Sequence, residues 1–276
     1  MTGQDLKLAL RAGRRVYGTC IVSTSPSWPP MVAACSLDFV FIDTEHIPID
    51  RAQLSWMCRT YAAMGLPPIV RIPKPDAHAA CMALDGGALG VVAPYMERLE
   101  EVRDLRGAVK YRPLKGARLD RVLDGKEALE PELKAYLEKY NANNLCIVNI
   151  ESVPAMEALD SILKVSDVDA ILVGPHDLSI SLGIPENYTH PKFTAAMKRI
   201  IEKSRAAGRG VGYHFSFGLD TAINWAKMGA NFIVHSTDLF LVRDALQREI
   251  GQFRTTFGES IEKGAVHELG GDHVVI

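Results

Sequence analysis

Eight short runs rich in β-branched residues recur along the 276-residue chain, with helix-patterned segments between them. The runs are Val16–Ser23, Phe39–Asp43, Ile69–Ile72, Gly90–Ala93, Leu145–Ile150, Ala170–Val173, Gly210–His214 and Phe232–His235. Most are apolar throughout rather than alternating, as strands are when helices cover the sheet. Helical periodicity spans Ile49–Ala63, Asp76–Leu84, Pro154–Ser166, Pro191–Ala207, Asp220–Met228 and Asp238–Phe257. Several of these open on a cap residue or an early proline, as at Pro154, Pro191 and Asp220. Gly65, Gly86–Gly87, Gly208 and Gly229 fall at or near the helix ends, where a left-handed residue is common. Eight strands, each followed by a helical crossover, predict a closed α/β barrel of the (β/α)8 TIM type more than an open doubly wound sheet.

Barrels of roughly 250 residues fold as one unit, so residues 1–276 are expected to form a single domain. The stretch from Glu97 to Asn144 breaks the regular spacing and reads as an enlarged βα-loop with helices of its own. The tail from Glu259 to Ile276 is weakly patterned and is expected to be loose or to pack on a neighbour. Lys+Arg total 31 against Asp+Glu 33, which gives no electrostatic reason to expect nucleic acid or an anionic membrane as partner. The five cysteines are scattered with no C-x-x-C pair, so neither a disulfide framework nor a zinc site is indicated. With no signal-peptide pattern at the N-terminus and no uninterrupted apolar span of about 18 residues, a cytoplasmic protein is expected.

In such a barrel chemistry sits at the C-terminal ends of the strands, and the unusual polar residues concentrate there. The second strand ends in Asp43-Thr44-Glu45-His46, the third in Arg71, the fifth runs into Glu151, and the sixth into Gly174-Pro175-His176-Asp177. Glu151 and Asp177 would reach the same mouth from adjacent strands, and two hard oxygen donors suit Mg2+ or Mn2+ better than zinc. Each carboxylate could instead cap the helix that follows it. Arg71 offers a permanent charge and a fixed fork of donors for a developing oxyanion, or an ion pair with Asp43 or Glu45. His46, three residues after Asp43, resembles a base oriented by a carboxylate, although a lone D-x-x-H is often only a satisfied loop histidine. His176, His214 and His235 also fall on the mouth side, without a spacing that marks a second metal site.

Taken in order, these stretches resemble the HpcH/HpaI aldolase family, the metal-dependent class II pyruvate aldolases. The matching segments are DFVFIDTEH (Asp38–His46), IVRIP (Ile69–Pro73), LDGGALGVVAP (Leu84–Pro94), YRPLKGAR (Tyr111–Arg118), IVNIES (Ile147–Ser152) and VGPHDLSISLG (Val173–Gly183). The resemblance implies a TIM barrel assembled as a homo-oligomer, often a hexamer, whose C-terminal helices exchange between subunits. It implies that Glu151 and Asp177 bind Mg2+, Mn2+ or Co2+, which polarises pyruvate and holds its enolate. Arg71 would stabilise the keto oxygen, and His46 with Asp43 would handle the proton. Asn149, Gly174, Pro175 and His176 would line the substrate, with Asp85 a candidate from a neighbouring subunit. The implied reaction is reversible cleavage of a 4-hydroxy-2-oxo acid to pyruvate and an aldehyde.

Some positions depart from the family pattern. Asn149 stands where Gln is usual, His176 and Ile47 replace small residues, and Leu119 replaces a glycine. These bear on the partner aldehyde and leave the metal and acid–base positions intact. The rivals are a related lyase of a CoA thioester, which lacks a clear basic cluster for the nucleotide, and a decarboxylase of oxaloacetate, which shares the pyruvate enolate. A silent keto-acid-binding barrel is the alternative of another class, and the complete set of acid–base residues argues against it.

Overall fold

A computed structural model describes residues 1–259. The tail is outside the described residues, apart from Glu259. In chain order the elements are α1 (Gly3–Arg11), β1 (Val16–Cys20), α2 (Trp28–Ala33), β2 (Phe39–Asp43), α3 (Arg51–Ala63), β3 (Pro68–Arg71), α4 (Ala77–Gly86) and β4 (Gly90–Ala93). There follow α5 (Leu99–Lys110), α6 (Gly116–Leu123), α7 (Pro131–Tyr140), β5 (Leu145–Ile150), α8 (Val153–Lys164), β6 (Ala170–Val173) and α9 (Pro175–Ser181). The last are α10 (Pro191–Ala206), β7 (Gly210–Phe215), α11 (Leu219–Lys227), β8 (Phe232–Thr237) and α12 (Asp238–Phe257).

Every strand pairs in parallel with its sequence neighbours, and β8 returns to β1, closing the barrel. Large side chains fill the interior: Phe39 stacks on Phe232 at 4.8 Å between ring centres, with Val16, Leu145 and Leu172 buried beside them. Gly18 on β1 makes room for this, because a Cβ there would lie 2.6 Å from the Phe39 ring. The outward faces of the strands pack under the helices in a second apolar layer that includes Met57, Tyr61, Leu159, Ile200 and Trp225.

The predicted strands match the observed ones to within a few residues. The stretch Glu97–Asn144 divides differently from the sequence expectation. Its first helix, α5, is the ordinary barrel helix and buries Val102, Leu105 and Val109, so the additional structure is α6 and α7. The N-terminal segment, which carries too many charges to show its pattern plainly, folds as α1 behind a Thr2 capping box. It buries Leu6 and Leu10 against the barrel floor.

That floor is held by one buried carboxylate. Asp169 accepts from the Cys146 amide at 2.9 Å, from Arg11 at 3.2 Å and from Lys110, whose side chain is itself largely buried. Asp169→Ala would strand a buried cation and is expected to cost about 3–5 kcal/mol in urea denaturation. The opposite end of the barrel, where the strands open at the mouth, should keep its arrangement in the folded variant.

Two features lie near the seam between β1 and β8. The register slips there, from Gly18↔Val234 to Cys20↔Thr237, so β8 carries one residue more than β1. Within this bulge Ser236 has φ 56°, a left-handed conformation that costs a residue with a Cβ. Beyond it, α12 buries only Asp238, and its apolar residues Leu246, Ile250, Phe253 and Phe257 stand exposed.

Candidate active site

The mouth is built from strand ends. Asp43 and Arg71 are register partners on β2 and β3, so their inward side chains meet directly. Arg71 donates through Nε to Asp43 Oδ1 at 2.9 Å and through Nη2 to Oδ2 at 2.5 Å, a two-pronged bond between buried groups. Burial opposes the charge on Asp43, but the Arg71 guanidinium outweighs it and holds the carboxyl below its usual range. Arg71 Nε also lies 3.2 Å from Glu45 Oε2. Burial pushes the Glu45 carboxyl up against the pull of Arg71 and His46.

The expected Asp43–His46 pair is not formed. Both Asp43 oxygens face Arg71, and Oδ1 also accepts from the Glu45 amide at 3.0 Å. The carboxylate beside His46 is Glu45, with Oε2 3.8 Å from Nε2 and the imidazole about a third exposed at the rim. The cause is strand pairing: the register puts the aspartate opposite the arginine, while the chain turns away before it reaches the histidine.

Glu151 follows β5 and is almost wholly buried. Its Oε1 accepts from the Tyr95 amide at 2.6 Å, and its Oε2 accepts from Asn149 Nδ2. Tyr95 adopts φ 54° to point that amide inward. A Cβ at Gly174 would fall 2.8 Å from Glu151 Oε2, so only glycine lets the end of β6 pass so close. Burial pushes the Glu151 pKa up to about 7, with the charges of Asp177 and Glu45 adding to the rise. The Tyr95 amide and Arg71 pull the other way.

Asp177 lies in the first turn of α9 and lines the same pocket as His46, Arg71, Asn149 and His176. The donor set fits a hard divalent cation. Asp177 is near enough for its charge to raise the Glu151 pKa, and Glu151 is buried where its own charge is poorly supported, so a cation beside the two would be favoured. Among the described residues no cluster of three or more His, Cys, Asp or Glu side chains is arranged around a common point. Glu151 and Asp177 are the residues that would hold such an ion.

Across the mouth stands an aromatic wall. Tyr188 packs its edge on Phe215 at 4.8 Å and lies parallel to Phe217 at 6.4 Å. His176 Nδ1 comes within 3.5 Å of Glu186. His214 projects inward from β7 beside Phe41, and burial together with the nearby Arg71 charge lowers its pKa to about 4.

A neutral histidine of this kind makes a specific contribution to stability. Its folded pKa lies below the unfolded value near 6.5, so the unfolded chain binds the proton first. Stability is full above about pH 6.5 and falls as pH drops towards 4. Allowing for partial exposure, wild type should lose about 1–2 kcal/mol more than His214→Gln between pH 7.5 and pH 5 in urea titrations. Parallel pH curves for the two proteins would contradict this.

Asp85 is not brought to this pocket. It sits near the end of α4, largely exposed, and accepts from Arg112 on the flank of the barrel. His235 points out of the barrel into an apolar groove lined by Trp28, Met31, Ile223 and Leu241.

Residues 19–245 match the pattern of the HpcH/HpaI aldolase/citrate lyase family. The chain belongs to that family. Among its relatives, the 2-keto-3-deoxy-L-rhamnonate aldolase of Klebsiella pneumoniae subsp. pneumoniae is 29% identical over 265 residues, 95% of this chain and 98% of the relative. An HpcH/HpaI aldolase/citrate lyase family protein from Burkholderia cenocepacia superposes with a TM-score of 0.78 at 27% identity, covering 91% of this chain and 99% of the other. The citrate synthase SbnG superposes with a TM-score of 0.77 at 29% identity, covering 92% and 99%. This HpcH/HpaI family member is a lyase of the aldolase type.

The sequence points to Glu45 as an ion-pair partner of Arg71, and it gives no role to Tyr95. Glu45 has a signal, since it follows the end of β2 two residues after Asp43. Tyr95 has none, because its backbone, not its phenol, meets Glu151.

Proposed function

We propose that the protein is a divalent-metal-dependent aldolase. It cleaves a 4-hydroxy-2-oxo acid of the 2-keto-3-deoxy type to pyruvate and an aldehyde, and catalyses the reverse addition. The observation that carries this is the buried Glu151 carboxylate, held by the Tyr95 amide and Asn149 where it feels the charges of Asp177 and Arg71. The names of the relatives point to the same chemistry.

Glu151 and Asp177 hold Mg2+, Mn2+ or Co2+. When bound, the ion supplies Lewis-acid polarisation of the keto acid, which makes loss of an electrophile from C3 feasible. Arg71 is kept charged and rigid by Asp43 and Glu45, and directs its donors at the oxygen that becomes negative. His46 takes the proton of the C4 hydroxyl as the C3–C4 bond breaks. The bonding pair passes to C3, the aldehyde leaves, and His46 returns a proton to C3 to give pyruvate. Asn149 and the Gly174–Pro175 turn keep the carboxylate end in place.

The test is pyruvate release from 4-hydroxy-2-oxo acids, coupled to lactate dehydrogenase, with chelator-treated protein and metal added back. Release that depends on added metal supports the reading. Binding of keto acid without turnover would leave a silent barrel, and release from oxaloacetate alone would leave a decarboxylase.

Assembly belongs to the same proposal. Residues Leu246, Ile250 and Phe253 on α12 stand between 48% and 63% exposed, and the groove of about 700 Å3 beside β1 and α11 is almost wholly apolar. The α12 of a second copy fills that groove, in an assembly expected to reach a hexamer and to carry Asp85 towards a neighbour's mouth. Wild-type protein should run as an oligomer in analytical ultracentrifugation, and the double variant Leu246→Glu, Phe253→Glu should dissociate. A monomeric wild type would refute this. All five cysteines are free, which suits a reducing cytoplasm.

A further inference from the structure

His214 makes one hydrogen bond among the described residues, from ring atom Nε2 to the Ser236 carbonyl oxygen at 3.3 Å. A carbonyl oxygen only accepts, so Nε2 carries the hydrogen. In a neutral imidazole the other nitrogen, Nδ1, is then a bare acceptor. The carbonyl that fixes this tautomer is itself held in an uncommon way. Ser236 is the left-handed residue of the β8 bulge, and Thr19 Oγ1 donates to the same oxygen at 3.4 Å. Strain of this sort persists where the surroundings enforce it, and bulges commonly re-aim groups beside active sites.

The ring lines the mouth pocket together with Arg71, Asn149 and Asp177. The keto acid half of a substrate presents only acceptor oxygens, which match Arg71 and a cation and would be repelled by a nitrogen lone pair. The hydroxyl donors of a 4-hydroxy-2-oxo acid lie on the half that leaves as aldehyde. Among the described residues Arg71 is the one Lys or Arg lining the pocket, so no second fixed cation is there for an anionic aldehyde. His176, Tyr188 and Ser216 on the adjoining wall each keep a buried polar atom without a hydrogen bond among the described residues.

We propose that His214 Nδ1 accepts a hydrogen bond from a hydroxyl on the aldehyde half of the substrate, and so selects uncharged, hydroxylated aldehydes. This rests on the aldolase reading above. The low basicity of His214 keeps the acceptor available across the neutral range and makes it a binding group rather than the base.

The test compares wild type with His214→Gln, which can keep a donor near Nε2 but offers no acceptor at Nδ1, and His214→Asn, which can place its carbonyl oxygen near Nδ1. Substrates are 4-hydroxy-2-oxo acids with and without a C5 hydroxyl, and oxaloacetate, whose decarboxylation forms the same enolate without any hydroxyl. For His214→Gln, kcat/KM for aldol cleavage should fall about 10- to 100-fold, the range for leaving one polar partner unmatched, with decarboxylation nearly unchanged. His214→Asn should recover part of the loss. A fall confined to the substrate with the C5 hydroxyl assigns the contact to C5, because the one hydrogen of the C4 hydroxyl goes to His46; an equal fall with both hydroxy acids overturns the proposal. Unchanged cleavage, or an equal loss of decarboxylation, overturns the proposal. Wild type that acts on oxaloacetate alone removes the aldolase reading, and this inference with it.

Discussion

Glu151→Gln is expected to lower metal-dependent pyruvate release by at least ~10^3-fold, about 4 kcal/mol of transition-state stabilisation. The substitution preserves shape and can still accept from the Tyr95 amide, so a loss would come from the missing charge. It should also leave the metal-free protein as stable as wild type or more so. Burial already disfavours the Glu151 anion and pushes its pKa to about 7, so a neutral amide removes a cost of folding. Opposite movements of activity and thermal midpoint would mark Glu151 as a group held for function. Asp177→Asn should show the same loss of turnover with little change in midpoint, because Asp177 is only half-buried. Retained turnover in either variant would remove that carboxylate from the metal site.

Arg71→Lys should be nearly as damaging, for a different reason. A lysine cannot reproduce the two-pronged bond to Asp43 while also reaching Glu45. It would leave buried carboxylates poorly paired, and a loss of about 3–5 kcal/mol in urea denaturation is expected. In the folded fraction kcat should drop about 10^2- to 10^3-fold, the range for removing a preorganised oxyanion donor. KM for the keto acid should change less than kcat. A variant that raised KM alone would make Arg71 a substrate anchor instead.

Much of this arrangement can be read from the chain. The eight apolar runs show because parallel strands are buried on both faces, and the placing of Glu151 and Asp177 shows because a barrel brings its strand ends to one mouth. What hides is anything set by pairing across strands. The Asp43-Thr44-Glu45-His46 run suggests a dyad along the chain, yet the register of β2 on β3 gives the aspartate to Arg71, the alternative that strand-end ion pairing had offered. His214 is equally opaque. Its role depends on a one-residue bulge in β8 and a carbonyl direction at Ser236, neither of which has a signature in sequence. Asp85 is a different case: within its own chain it turns to Arg112, and the role expected of it lies at a neighbouring subunit's mouth.

The closed ring also has a kinetic side. Asp43, Arg71, Glu151, Asp177 and His214 come from five different strands or the turns after them, and the contact that seals the ring joins β1 to β8, pairing Val16 with Phe232. Pairings so distant in sequence form slowly, because the entropy of closing the intervening chain is lost before the contact returns anything. A growing chain therefore cannot acquire its chemistry piecemeal. Until the last strand docks, an open sheet offers two unpaired edges and a half-formed mouth, and in that interval the protein is most exposed to misassembly. Activity in a refolding experiment should then appear with seam closure rather than with helix content.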